Sequence, residues 1–404
     1  MGAWAKEVQF LCTGMAVAMT VLVSPTEGGA AFHSGSGNCD GCHGKQVRVE
    51  GQPVLPASAA MLKGADPSST CLLCHEAPVA GAKEQHHVST PGAAMGPGVP
   101  PRQLTPGGDF GWLKKNYSWM SSEAGAGAQT SRGERHGHNI VAADFNYKSD
   151  TTHARAPGGA YPSAALSCIS CHDPHGTSGT GTGTGESGYR MLGGIGYQPK
   201  SDPANAPFTG EAPAAVAPRD YNRAETNGST RVAYGSGMSE WCRNCHASVH
   251  DGGGSGHPAG NEAKLGGAMV ASYNAYVGSG NLNGTSASSY TSLVPFEMGT
   301  ADYAAIKIAV GDAHGPDPAN GAPNVMCLTC HRAHASGWDS MTRWNTGATF
   351  MVQNGRYSGT DAADANDSAH GRTSAETAKA YYDRRPDSFA LYQRSLCNKC
   401  HVKD

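Results

Sequence analysis

The chain has 404 residues, a formal charge of -3, 55 Gly, 24 Pro and 13 Cys. Leu, Ile, Val and Phe contribute 50 residues, about 12% of the chain, well under the roughly 20% typical of chains that fold on aliphatic burial. A charge near neutrality excludes the basic field of a nucleic-acid binder. So thin an apolar inventory excludes a fold that offsets its conformational entropy by side-chain packing alone.

Residues 1–31 read as a secretory signal. Lys6 lies in a short n-region, Val8 to Val23 is an apolar run containing Cys12, and Ser24, Pro25 and Gly28–Ala31 form a small-residue cleavage zone. The run is too short and too interrupted by Gly and Thr for a membrane span. No second run of membrane length follows, so residues 32–404 are expected to form a single domain without a spanning helix.

The pattern C-x-x-C-H then occurs six times. Its members are Cys39, Cys42 and His43; Cys71, Cys74 and His75; Cys168, Cys171 and His172; Cys242, Cys245 and His246; Cys327, Cys330 and His331; and Cys397, Cys400 and His401. This is the attachment signature of c-type haem: two thioethers to the vinyl groups, and an adjacent imidazole turned onto the iron. A zinc site or a redox dithiol is the alternative for any single copy. Six copies, each followed at once by His, point to six covalently bound c-type haems, attached outside the cytoplasm in agreement with the signal. The porphyrins supply the apolar surface that the side chains lack. The expected fold class is therefore a multihaem c-type cytochrome, mostly coil with a few short helices and very little strand. Each haem adds two propionates, for which Arg132, Arg135, Arg332, Arg343 and Arg394 are candidate partners.

The first two motifs are 32 residues apart, and the later gaps are 97, 74, 85 and 70 residues. Gly176–Gly188, Asp251–Gly256 and Asp361–Asp367 read as linkers. Three segments read as helical. Asn261 caps a turn running through Leu265, Val270 and Tyr273. Ser374 with Glu376 opens a helix through Ala378 and Tyr382 that ends before Pro386. Asp387 or Ser388 caps another that places Leu391, Tyr392 and Leu396 on one side and delivers Cys397.

The chemistry turns on the second axial ligand. Of 18 His, six belong to the motifs and twelve remain. His175 and His334 each follow a motif His by three residues. So close to one haem, neither reaches the far side of the same iron, but each can ligate another haem and bring two porphyrins into contact. His250, His257, His138, His87 and His33 are further candidate ligands. His136, His86, His153, His314 and His370 read as exposed or outer groups. With imidazole in surplus, Met ligation is not expected. Six bis-imidazole irons leave no exchangeable position for a substrate, which favours an electron carrier over an enzyme. The Gly-rich run at Leu192–Gly196 lacks the strand–helix context of a dinucleotide site.

Beyond the motifs, the strings Phe32–Gly35, Thr105–Trp112, Gly137–Ala142, Arg190–Lys200, Pro213–Asn222, Arg231–His246, Pro295–Tyr303, Cys327–Arg343 and Tyr392–Asp404 carry a resemblance over nearly the whole mature chain. The sequence resembles the outer-membrane cytochrome S family, hexahaem cytochromes of metal-reducing bacteria that polymerise into conductive extracellular filaments. The resemblance implies coil wrapped around a continuous chain of six haems, bis-His ligation, and head-to-tail subunit contacts of the kind that generate filaments. It implies a location at the cell's outer surface, with other c-type cytochromes and external acceptors such as metal oxides as partners. In one respect the sequence departs from the family. The family has a His three residues after the first motif that ligates a haem in the neighbouring subunit, and here that position is Gln46. His33, on the same N-terminal segment, is the first candidate to replace it. The alternative reading is a periplasmic or outer-surface multihaem oxidoreductase with one haem of open coordination.

Overall fold

The computed structural model describes residues 41–44, 48–49, 52–53, 62–79, 86–122, 124–175, 189–202, 204–218, 231–249, 257–286, 289, 294–310, 316, 322–361 and 367–401. Regular structure within them is sparse and short. After a two-residue hairpin of β1 (Arg48–Val49) with β2 (Gln52–Pro53), helix α1 (Pro67–His75) carries the second motif. Asp66 caps α1 by accepting from the Ser69 N–H at 2.7 Å, with Pro67 at the first helical position. Strands β3 (Tyr117–Met120) and β4 (Ala128–Ser131) pair antiparallel, Tyr117 opposite Ser131. β5 (Ala215–Val216) and β6 (Ala233–Tyr234) form a minimal ladder ahead of α2 (Met238–Cys242), which ends on the fourth motif's first cysteine. Then come α3 (Gly267–Ala275), α4 (Tyr303–Ile308), the single turn α5 (Cys327–Cys330), and a three-stranded sheet in which β7 (Phe350–Gln353) lies between β8 (Arg356–Tyr357) and β9 (Gln393–Arg394). α6 (Ser374–Ala380) sits within that last unit. No helix among the described residues is long and apolar enough to cross a membrane.

Three helix expectations need adjustment. α3 starts only at Gly267, because Gly266 is extended, and Asn261 instead accepts from the Gly237 N–H at 3.2 Å. α6 is capped by Thr373 rather than Ser374, in a reciprocal pair with Glu376. It stops at Ala380, and Tyr382 and Asp383 turn left-handed ahead of Pro386. The helix expected after Asp387 does not form. Pro386–Ser388 is a single 3-10 turn, Gln393–Arg394 pairs with β7, and a second 3-10 turn, Leu396–Lys399, delivers Cys397. Gln393 is fully buried and donates to the Tyr276 hydroxyl at 2.6 Å, so strand pairing and a buried polar contact outweigh the apolar spacing.

The largest core cluster is aromatic rather than aliphatic. Trp112, Trp338, Trp344, Tyr117, Tyr273, Tyr357 and Tyr381 gather there, with the Tyr357 and Tyr381 rings stacked at 4.6 Å. This is how a chain so poor in Leu, Ile and Val still buries apolar area: each aromatic ring contributes more than an aliphatic side chain.

Candidate haem-binding site

The second to sixth motifs each close one helical turn. The amide of the motif His donates to the carbonyl of the first cysteine at 3.0 Å for His172, His246 and His331, and at 2.9 Å for His401. A turn closed this way puts the two cysteines, three apart, on one face with the imidazole beside them. No disulfide joins any of the eleven described cysteines.

The motifs follow one another through space in sequence order. Burial raises the Cys42 thiol, and the nearby Cys71 and Cys74 raise it further. A hydrogen bond with Cys168 raises Cys71. Burial and then the field of Cys245 raise Cys171 to about 12. A hydrogen bond with Cys327 raises Cys242, and burial followed by Cys397 raises Cys330 to about 12. Hydrogen bonds thus join the second motif to the third and the fourth to the fifth, and the fields of neighbouring thiols link the first to the second, the third to the fourth and the fifth to the sixth. Two of the junctions share one device. Ser68, three residues before Cys71, accepts from the Cys168 N–H at 3.1 Å. Ser239, three residues before Cys242, accepts from the Cys327 N–H at 3.0 Å.

Imidazoles face one another across these motifs. Ring centres are 6.2 Å apart for His43 and His175, 6.4 Å for His172 and His334, 6.1 Å for His246 and His138, and 6.0 Å for His401 and His257. Two imidazoles on one iron, each nitrogen about 2 Å from the metal, place their ring centres about 6 Å apart, so these pairs fit a haem iron between them. The outer ring nitrogens are fixed by backbone. Nδ1–H donates to a carbonyl from His75 (to His86, 2.6 Å), His172 (Arg190, 2.8 Å), His246 (Pro157, 2.8 Å), His331 (Ser340, 2.8 Å), His138 (Ala333, 2.6 Å) and His257 (Pro258, 2.9 Å). That sets the tautomer with Nε2 unprotonated, the form a metal requires. Burial also holds His138 down to about 4 and His334 down to about 3, so neither charges at neutral pH.

The second motif brings a residue the sequence had set aside. His86 lies 6.1 Å from His75 in edge-on geometry and is exposed, while His87 beside it is buried. Among the described residues no imidazole faces His331. Cys39, His33, Gln46, His250 and His314 lie outside the described residues. His136 is fully buried rather than exposed, bonded through Nδ1 to the Trp112 carbonyl and through Nε2 to Ser131, which marks an outer role. His370 stacks on Trp119 at 4.6 Å and His153 is exposed.

Of the arginines, Arg332 and Arg343 are fully buried. Arg332 lies 3.4 Å over the Tyr382 ring, and the Arg343 Nε donates to the Leu328 carbonyl at 2.7 Å. Arg132 and Arg135 are largely exposed and pair with Glu134 and Asp339, while Arg394 packs 5.0 Å over Phe350. Arg372, Arg384 and Lys399 are also buried, and nothing in the spacing of the sequence signalled them.

No family model matches the chain. It is 46% identical over 431 aligned residues to the C-type cytochrome OmcS of Geobacter sulfurreducens, an alignment covering 96% of this chain and 98% of that protein. The chain belongs to the OmcS family of c-type cytochromes. Two solved structures share its fold. One is described as the cryo-EM structure of OmcS nanowires from that organism, with TM-score 0.77 and 44% identity; the other is an outer membrane cytochrome S filament, with TM-score 0.79 and 45% identity. Each covers 91% of this chain and 98% of that chain. The expected OmcS-type fold, coil with few helices and little strand, is the fold observed. As a c-type cytochrome the chain holds haem covalently.

Proposed function

We propose that this chain carries six covalent haems and works as an extracellular electron-transfer protein, a head-to-tail filament subunit delivering electrons to external acceptors such as metal oxides. The single observation carrying this reading is the linear order of the motifs, with facing imidazoles at iron-ligand spacing. Bound haem iron supplies the reversible one-electron change. The protein's part is to hold neighbouring motifs in contact and close each iron with two imidazoles. We assign His175 to the iron of His43, His334 to that of His172, His138 to that of His246 and His257 to that of His401. For His75 we assign His87. The His86 backbone lies on the Nδ1 side of His75, away from the iron, and His87 is the buried imidazole. Residues 1–31 are the proposed signal and 32–404 the single cytochrome domain. Buried Arg332 and Arg343 are the proposed propionate partners, because a guanidinium can give a carboxylate two parallel hydrogen bonds.

The ligand pattern itself supports assembly. The His trailing the third motif faces the first motif, and the His trailing the fifth faces the third. Continued by one step, this stride carries the position trailing the first motif to the fifth motif of a preceding copy, and His331 is the motif His that no described imidazole faces. Gln46 occupies that trailing position, so His33 of the neighbouring copy is proposed as the ligand instead. Cryo-electron microscopy of the secreted, haem-loaded protein tests the reading. Filaments with haem continuous across the junction are expected. Discrete monomers that bind carbon monoxide at the His331 haem would favour an oxidoreductase with one open iron.

A further inference from the structure

The junction between the fourth and fifth motifs contains a buried acid with no part in haem attachment. Glu297 is 1% exposed. Its Oε1 accepts from the Met238 N–H at 2.8 Å, at the start of α2, and its Oε2 accepts from the Asn324 Nδ2 at 2.5 Å. α2 ends on Cys242, about 6 Å further along its axis, and Asn324 lies three residues before Cys327. The segment carrying Glu297 is tied to the fifth motif again where the Thr329 hydroxyl donates to the Pro295 carbonyl at 2.7 Å. One carboxylate thus spans the segments that deliver two successive motifs.

The groups facing Glu297 leave its charge poorly answered. From α2 comes a second carboxylate, Glu240, whose Oε1 accepts from the Asn261 N–H at 2.7 Å and whose Oε2 is buried without a donor. Tyr234 of β6 bridges to Glu297 through the backbone. The cation on this side, Lys264, reaches the Asn324 Oδ1 at 3.5 Å rather than the carboxylate. Cys327 carries no charge once it is a thioether. Two N–H donors favour the carboxylate; burial and Glu240 favour the acid. Burial dominates and holds Glu297 up at about 7, with the two hydrogen bonds opposing it. A carboxyl balanced this closely responds to a unit of charge added nearby.

We propose that Glu297 is a proton-coupling residue for electron transfer through the fourth and fifth motifs, an inference that rests on the electron-transfer reading. When an electron from a neighbouring reduced haem converts Fe(III) to Fe(II) at this pair, the Glu297 carboxylate takes one proton from solvent and becomes the acid. Oxidation releases both. The negative charge added at the haem is offset by the proton taken up beside it.

The test is spectroelectrochemical titration of the haem-loaded protein from pH 5 to 9. One component of the reduction curve is expected to move to lower potential as pH rises. Full coupling gives about 59 mV for each tenfold fall in proton activity. Glu297→Gln, which keeps the shape and removes the titration, is expected to flatten that component. Glu240→Gln, at a half-buried site, removes a like charge and is expected to move the pH-dependent window to lower pH. A slope unchanged in Glu297→Gln, or a window unmoved in Glu240→Gln should the first variant not load haem, overturns the proposal. Reversible but pH-independent titration of the unmodified protein overturns this inference alone, whereas absence of reversible haem reduction overturns the electron-transfer reading beneath it.

Discussion

Replacing His334 with Ala gives the sharpest test of the ligand assignments. His334 is half-buried with its Nδ1 against Gly107, its ring stacks on Phe110 at 4.7 Å, and it faces His172 at 6.4 Å. On the proposed ligation, truncation removes one imidazole from one of the six motifs, so one further haem gains an open position. Loss of this half-buried ring also costs about 2 kcal/mol in packing. The assay is carbon monoxide titration of the reduced, haem-loaded protein, followed by the Soret change per chain. His334→Ala is expected to bind one equivalent more than the unmodified protein. His153→Ala, at an exposed histidine outside every facing pair, is expected to add none. No gain in His334→Ala, with haem content unchanged, would refute the pairing of His334 with His172.

Three further outcomes follow from local geometry. Asp109 is fully buried and accepts from the Thr90 and Gly111 N–H groups at one oxygen and from the Thr90 hydroxyl and Gln103 N–H at the other. Asp109→Asn turns an amide donor toward two of these donors and should cost about 3–5 kcal/mol, measured by denaturant unfolding followed through the Soret band; a loss under about 1 kcal/mol contradicts this account. Gly108 has φ +99°, and a Cβ there would sit 1.7 Å from the Ala335 carbonyl oxygen. Gly108→Ala should therefore displace the segment carrying His334 and lower the yield of low-spin haem, and an unchanged spectrum would contradict that. Hydrogen bonds from Thr151 and Thr152 hold Glu134 down at about 2. A depressed carboxyl contributes stability above its unfolded value of about 4.3 and loses it as pH falls toward 2. The stability gap between the unmodified protein and Glu134→Gln should accordingly be full at pH 7 and vanish near pH 2; a gap that persists at pH 2 places the effect elsewhere.

Much of the site was legible because attachment chemistry is local. Two cysteines and a histidine within five residues need one helical turn, and no tertiary context changes that. That His175 and His334 face motifs other than their own was legible by exclusion, since a His three residues from a motif cannot reach around its own haem. The helix expected after Asp387 was not legible. Its apolar spacing suited a helix, but β7 supplied a strand partner and Tyr276 a buried acceptor for Gln393. Glu297 was equally invisible, because only the fold brings residues 238, 297 and 324 together.

The sequence alone determined the closed C-x-x-C-H turns, the scarcity of regular structure and the family, since local spacing and composition act within the chain. Tertiary structure decided which imidazole faces which motif, that the motifs stand in sequence order, and that His331 faces no described partner. Those facts depend on contacts between segments tens to hundreds of residues apart, joined by coil whose path no local propensity sets. A part-buried hydrogen bond such as that between Ser239 and Cys327, 88 residues apart, fixes that path only once both ends are in place.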